Sequence, residues 1–296
     1  GLFECLPYEK GCEEVIISAY NSQLETVAKY AYKLNSMPQH RCKAFPTDYE
    51  SIIKQFERMI KHSDDELLIS TDGSKILGLL ALLVEPEDMY LEFVGGVFAE
   101  DNYVAVANEF FKHIRDKYKG YLLDAAYPEE NVQAIEFMES VGAKLIGFDY
   151  EYRIKNDNFK SFPMTDDVIY LNEKYYEDFI KHHDRMNSNV YWTGKKLIDA
   201  LDKFDILIAL ENDRVIGSIV LGKFNKKVDE IYFLSVEKES IHLEKALLNK
   251  GISHAFSSGT YELLFMIGKD DKKRIAVCEE VGFKRTDTCL TYSLDI

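Results

Sequence analysis

The sequence predicts an α/β chain made of two tandem copies of one fold, each a mixed, mostly antiparallel central sheet flanked by helices. Three observations carry this. Apolar residues switch between helical and strand spacing along the whole of the 296 residues. The resulting order of elements occurs twice. A polar, aperiodic stretch at 155–167, containing Pro163, lies between the two runs. The expected domains are therefore 1–158 and 159–296.

In the first copy, Val15-Ile16-Ile17 reads as a short strand. Leu24, Val27, Ala28, Ala31 and Leu34 form one helical stripe, broken by Ser36-Met37-Pro38. Thr47 and Glu50 read as a capping box opening a second helix with Ile52, Ile53, Phe56, Met59 and Ile60 on its apolar face. Strands follow at 66–70 and 75–84, with Asp72-Gly73 as the hairpin turn. A third strand, 89–97, is interrupted by Gly95-Gly96, which suggests a bulge or a splay. Val104, Ala107, Phe111 and Ile114 mark the next helix. A strand at 121–126, a helix from Pro128 to Val141 ended by Gly142, and a strand from Lys144 to Ile154 complete the copy.

The second copy repeats this order: strand 168–171, helices 173–186 and 193–201, strands 205–210, 215–224 and 228–236, helix 241–256, strand 261–267, helix 272–281 and strand 283–294. The repeat extends to residues. Leu68-Ile69 through Gly78 resembles Leu207-Ile208 through Gly217, and Glu139-Ser140-Val141-Gly142 resembles Glu279-Glu280-Val281-Gly282, at separations of 139 and 140 residues.

Composition bounds the function. Hydrophobic residues make up 46% of the chain and the formal charge is −15, with pI near 5.0. Such a chain buries a substantial core, and its charge disfavours nucleic acid or an anionic membrane as a general partner. Five cysteines, at 5, 12, 42, 278 and 289, form no CxxC pair and suit reduced thiols in a cytoplasmic protein. No secretory leader or run of 18 apolar residues is visible. His40, Cys42 and His62, and separately His182-His183-Asp184, lack metal-ligand spacing, so no metal is expected.

The stretch 97–111 is the most informative. A hydrophobic strand enters it, a turn follows, and a helix leaves it with small residues at 105 and 107. That geometry presents free backbone N–H groups to an anion. Together with the element order and the run from Asn131 to Gly142, it resembles the GNAT acyltransferase family in tandem. The resemblance implies two copies of an acyl-CoA N-acyltransferase-like fold, with acetyl-CoA or another acyl-CoA as co-substrate. The family's Arg/Gln-x-x-Gly-x-Gly/Ala pattern falls on Asn102, Tyr103, Val104, Ala105, Val106 and Ala107. By the same resemblance, Val94, Val97 and Phe98 lie on the strand that pairs with the pantetheine arm. Asn131 braces that arm or caps its helix, and Ala134 packs beneath it. In the second copy His242 and Glu244 fall near the glycine positions, so the first copy is the expected cofactor site. The position of the family's acid tyrosine is Met138 in one copy and Cys278 in the other, with Tyr127 and Tyr103 as substitute donors. Glu92 is the candidate general base, and Glu230 its counterpart.

The implied reaction is direct attack of a primary amine, from a small molecule or from a peptide N-terminus or lysine, on the acyl thioester. The alternative is a catalytically inactive member that binds a ligand, regulates, or serves as a protein-interaction module. Tyr191 and Trp192 either line the acceptor pocket of the second copy or pack its core; Tyr30 and Tyr32 hold the comparable helix of the first.

Overall fold

The computed structural model describes residues 15–62, 64–162, 168–188, 190–223, 228–237 and 240–296. Cys5, Cys12 and part of the expected linker lie outside the described residues. In chain order the first run of elements is β1 (Val15–Ser18), α1 (Leu24–Asn35), α2 (Tyr49–Lys61), β2 (Glu66–Thr71), β3 (Ile76–Glu85), β4 (Tyr90–Ala99), α3 (Tyr103–Lys117), β5 (Leu122–Tyr127), α4 (Val132–Ser140) and β6 (Lys144–Lys155). The second run is β7 (Val168–Tyr170), α5 (Tyr176–Met186), α6 (Gly194–Asp199), β8 (Phe204–Glu211), β9 (Arg214–Gly222), β10 (Val228–Val236), α7 (Ile241–Ser257), β11 (Glu262–Gly268), α8 (Lys272–Val281) and β12 (Lys284–Asp295).

The chain forms two compact units, and their boundary is not the expected one at 158–159. The first comprises the chain up to Phe148 together with Thr288–Ile296; the second is Asp149–Asp287. The reason lies in the last strand of each copy. Residues 149–155 of β6 pair antiparallel with β11, so they complete the second unit. Residues 290–295 of β12 pair antiparallel with β5, so the chain's end returns to complete the first. Strand order in the first unit is β1-β2-β3-β4-β5-β12 and in the second β7-β8-β9-β10-β11-β6. A single alternating run such as 144–155 gives no sign that its pairing partner lies a hundred residues onward.

Within each unit all pairs are antiparallel except one. β4 runs parallel to β5, and β10 parallel to β11. Each parallel pair is joined by one crossover helix, α3 or α7, as parallel neighbours require. In the first unit Val27, Ala31 and Leu34 of α1, Ile52 and Phe56 of α2, and Phe110, Phe111 and Ile114 of α3 are buried on the sheet. In the second unit β8 splits its side chains between two cores by strand alternation. Leu207 and Ala209 join Leu247 and Ile252 of α7, whereas Ile206 and Ile208 join Phe179 of α5 and Leu197 of α6. Gly78 is required on β3 because a Cβ there would meet Val106 Cγ1 of α3 at 2.2 Å. The cap of α2 falls one residue later than expected: Asp48, not Thr47, accepts the Ser51 N–H at 2.9 Å. Among the described residues no helix is long and apolar enough to cross a membrane.

Candidate functional site

The Gly95-Gly96 interruption marks a real bulge. The β3–β4 register shifts around Ala81, which faces Gly95. On its other side β4 pairs with β5 only from Tyr90↔Leu122 to Glu92↔Asp124. Beyond Glu92 no β4–β5 pairing continues, so an opening lies between the two strands beside Gly95-Gly96.

That opening is filled by the chain itself. Residues 36–48, joining α1 to α2, run into it. The Lys43 N–H donates to Ala126 O of β5 at 3.0 Å. On the β4 side the Gly96 N–H donates to Cys42 Sγ at 3.2 Å, and the Cys42 thiol faces Gly96 O at 3.5 Å. Burial pushes the Cys42 thiol up to about 12, so it stays protonated and able to donate. The Tyr127 hydroxyl donates to the same Gly96 O at 3.1 Å. The Phe45 ring lies against Gly95, where a Cβ would sit 2.6 Å from it, and also contacts Phe56 and Phe98. Val94 O accepts from Gln55 Nε2 at 3.0 Å.

The expected cofactor residues fall around this plug. Val97, Phe98, Tyr103, Val106, Ala107, Asn131 and Ala134 are all buried. Asn131 caps α4 by accepting the Ala134 N–H, and its Nδ2 donates to Arg41 O at 2.9 Å. The side chain expected to brace the pantetheine arm thus braces residue 41. Tyr103 and Tyr127 are sealed inside, and burial raises the pKa of each. Neither reaches an open surface as a substitute acid. Met138 is also buried.

Asn102, Val104 and Ala105 are exposed at the start of α3. Asn102 is the N-cap, in the left-handed region at φ 51°, and makes no side-chain cap bond. A cavity of about 170 Å³ adjoins this turn, lined by Tyr30, Lys75, Ile76, Leu77, Glu100, Asp101, Asn102, Ala105 and Val106. Glu100 is already paired with Lys33 at 2.6 Å. Asp101 and Lys75 bring one further charge of each sign to the mouth. The place that the resemblance gives to the pantetheine arm is thus occupied by residues 41–45, while the start of α3 borders an open cavity.

Glu92 lies on the last paired rung of β4, before the opening. It is half-buried, and its pKa is raised first by burial and then by Asp124 on the neighbouring strand. Tyr90 donates to Asp124 Oδ2 at 3.2 Å.

In the second unit the connection between the first two helices is shorter and reaches β10 through Asn187 Nδ2, which donates to Ser235 Oγ at 3.0 Å. The connection from α5 to α6 spans only 187–193. The β10–β11 ladder ends at Ile231↔Phe265, and β10 continues to Val236. Glu230 sits beside Leu264 on the rung before that end and is raised to about 7, by burial first and by Glu151 second, with Arg153 opposing. Arg153 itself is held by Glu151 at 2.6 Å and Glu262 at 2.7 Å. Thr286 Oγ1 donates to Glu151 Oε1 at 3.0 Å. The sheet face around Glu230 thus carries three carboxylates against one guanidinium.

At the start of α7, Ser240 caps the helix through the Leu243 N–H. Glu244 is neutralised by Arg274 Nη2 at 2.9 Å, so the repulsion expected of this carboxylate is offset. Residues 238–239 of the preceding turn lie outside the described residues. Cys278 is fully buried and its thiol is pushed up by burial. Trp192 packs on Phe204 at 4.8 Å, a core contact, while Tyr191 is exposed. Among the described residues no group of three or more His, Cys, Asp or Glu could hold a metal ion.

No protein-family model matches the sequence, and no curated protein matches it. Solved structures do. A GCN5-related N-acetyltransferase from Sphaerobacter thermophilus superposes with a TM-score of 0.72 at 11% identity over 95% of each chain. A tandem GNAT protein from the clavulanic acid biosynthesis pathway gives 0.62 at 11% identity, covering 96% of this chain and 98% of that one. The GCN5-related glucosamine N-acetyltransferase region of a fungal multi-domain β-N-acetylglucosaminidase gives 0.69 at 10% identity, covering 96% of this chain and 38% of that one. At these identities the likeness is one of fold: the chain shares the GNAT fold along nearly its whole length.

Proposed function

We propose that the chain is an acyl-CoA-dependent N-acyltransferase acting on a primary amine, and that transfer takes place in the second unit. This moves the cofactor from the first copy, where the sequence pattern pointed, to the second. The observation that carries the reading is Glu230: a carboxyl held near 7, on the rung before β10 and β11 part. An amine acceptor arrives as an ammonium and must lose a proton before it can attack. A base near the operating pH performs that step best. The net negative face formed by Glu151, Arg153, Glu230 and Glu262 favours such a cation. Acyl-CoA supplies the activated thioester. Main-chain groups of Ser235 and Val236 and the first turn of α7 are the groups that would hold it. The N-acetyltransferase activity named for the structural neighbours supports the same reaction class. The acceptor is a small-molecule amine or a peptide N-terminus or lysine.

The test is thiol release from acetyl-CoA by the full chain with a panel of primary amines and lysine peptides. Amine-dependent release that Glu230→Gln abolishes supports the reading. Release that is absent with every amine, together with no saturable acetyl-CoA binding by calorimetry, overturns it.

A second reading is a protein that keeps the fold to bind a ligand without transfer. The filled opening of the first unit favours it, as do Met138 and the buried Cys278 in place of the acid tyrosine. Saturable acetyl-CoA binding without release with any amine would select this reading.

A further inference from the structure

We infer that Tyr170, His254 and Asp205 form a nucleophilic triad, in which the Tyr170 hydroxyl takes an acyl group from an aryl ester and passes it to water. This goes beyond the proposed amine acylation, because it uses other residues on the opposite face of the second unit's sheet.

Strand alternation brings the members together. Val168 of β7, Leu207 and Ala209 of β8, and Ile219 and Leu221 of β9 pack toward α7. Tyr170, Asp205 and Lys223 continue these three rows at the margin of that core. His254 meets them from the last turn of α7. Glu230 alternates with Ile231, which also packs toward α7, so it lies on the other face.

His254 Nε2 lies 2.8 Å from Asp205 Oδ2, and its Nδ1 lies 2.9 Å from the Tyr170 hydroxyl. Lys223 Nζ donates to the other carboxylate oxygen, Asp205 Oδ1, at 3.0 Å. Burial opposes the Asp205 charge, but the bonds from His254 and Lys223 prevail and hold its carboxyl below the usual range. An ionised carboxylate only accepts, so Nε2 carries a proton. In the neutral imidazole Nδ1 then offers its lone pair to the Tyr170 O–H. Nucleophile, base and orienting carboxylate stand in hydrogen-bond reach, the arrangement that activates a hydroxyl for covalent catalysis. Tyr170 is 52% exposed, whereas the His254 side chain is 17% exposed, so a reagent meets the phenol first. The first unit has a similar cluster without a relay. At the repeat separation of 139 residues Glu66 takes the place of Asp205. It lies 2.8 Å from His113 Nε2, but Tyr118 there bonds the carboxylate directly and is buried.

In the first step Tyr170 Oη attacks the acyl carbon while His254 Nδ1 takes the phenol proton. The ester C–O bond breaks, and the departing oxygen takes that proton from Nδ1. Water then attacks acyl-Tyr170 and gives a proton to Nδ1. The Tyr170 phenolate leaves and recovers it. The net reaction converts ester and water to acid and alcohol. The nucleophile is itself a phenol, so the substrate class is aryl esters, whose leaving group is its chemical equal.

The test is p-nitrophenyl acetate with the full chain, in the absence of CoA and amines. Expected is a burst of p-nitrophenol followed by steady release, with the burst acetyl located on Tyr170 by mass spectrometry of acid-quenched protein. In wild type, Tyr170 should be acetylated at least ~10-fold faster than Tyr20 and Tyr191, two other exposed tyrosines. Tyr170→Phe should remove both the burst and the steady phase. His254→Gln should slow acetylation of Tyr170 by about 10²-fold, and Asp205→Asn by at least ~10-fold. The inference is overturned if Tyr170 reacts no faster than Tyr20 and Tyr191, if His254→Gln matches wild type, or if acetyl-Tyr170 does not turn over. The comparison among tyrosines needs no variant, so it decides the matter even where a substitution prevents folding. Failure here leaves the acyl-transfer reading standing, because that is read from thiol release and Glu230. Conversely, absence of thiol release leaves the ester measurement intact.

Discussion

The two copies share an element order but have spent it differently. In the first, the long connection 36–48 enters the opening between β4 and β5 and satisfies its polar groups from within. In the second, the corresponding connection is confined to 187–193, and β10 runs on past its last pairing with β11. Both copies carry a glutamate near the end of the parallel ladder, Glu92 on its last rung and Glu230 one rung before it. Glu92 faces Asp124 in register across the ladder, while Glu230 faces a face where Arg153 moderates two other carboxylates. The lesson is that a retained fold and a retained acid do not make two equivalent sites. The two connections differ in length and in how they meet the strand that parts: residues 41–45 hydrogen-bond to Gly96 and Ala126, whereas Asn187 reaches Ser235 through its side chain.

The comparison is broken or sharpened by substituting the paired positions. The largest effect is expected at the two glutamates. Glu230→Gln should lower kcat/KM for acetyl transfer by about 10³-fold, within the usual range for loss of a general base. Glu92→Gln should change it by less than about two-fold. The same glutamate gives a stability test. An acid whose folded pKa is raised holds its proton longer in the native state, so the wild type loses stability as pH rises from the ordinary carboxylate range through about 7. Above pH 7 Glu230→Gln should therefore be more stable than wild type by about 3 kcal/mol, and below pH 4 the two should melt alike.

Next in size is the plug. Phe45→Ala should cost about 3 kcal/mol by denaturant titration, because the ring is buried against Gly95, Phe56 and Phe98. The helix caps follow. Asn131 serves both α4 and Arg41 O from a fully buried position, whereas exposed Asp271 serves only the Arg274 N–H of α8. Asn131→Ala should cost about 2 kcal/mol and Asp271→Ala about 1 kcal/mol. Equal costs would show that the residue 41 contact contributes nothing. The smallest effect is expected at Ala105, exposed at the start of α3. Ala105→Glu should leave acetyl-CoA affinity within about two-fold of wild type. A large loss would return the cofactor to the first unit.

Much of the fold was legible in the sequence because periodicity and turn chemistry are local. The bulge at Gly95-Gly96, the parting of β4 from β5, and the cap at Asn131 follow from nearby residues. What was not legible depends on pairing at a distance. The alternation of 144–155 is the same whether the strand closes one unit or the other, so the boundary fell ten residues early in space. Residues 41–45 carry no strand or helix pattern, and nothing in Cys42 or Phe45 announces that Gly95 and Gly96 will be their partners. Glu230 was visible as a counterpart of Glu92. Its environment was not, because Glu151 and Arg153 reach it from β6, a strand that the sequence assigns to the other copy. The equivalence of the two halves in sequence also hid the consequence of the unequal connections at 36–48 and 187–193.

The most direct test of the assignment is the pH dependence of amine-dependent thiol release from acetyl-CoA, measured as kcat/KM for wild type, Glu230→Gln and Glu92→Gln with an acceptor of high amine pKa. The expected result is a rise with pH inflecting near 7 in wild type and Glu92→Gln, absent from the residual activity of Glu230→Gln. An unchanged profile in Glu230→Gln, or its loss in Glu92→Gln instead, would contradict transfer in the second unit.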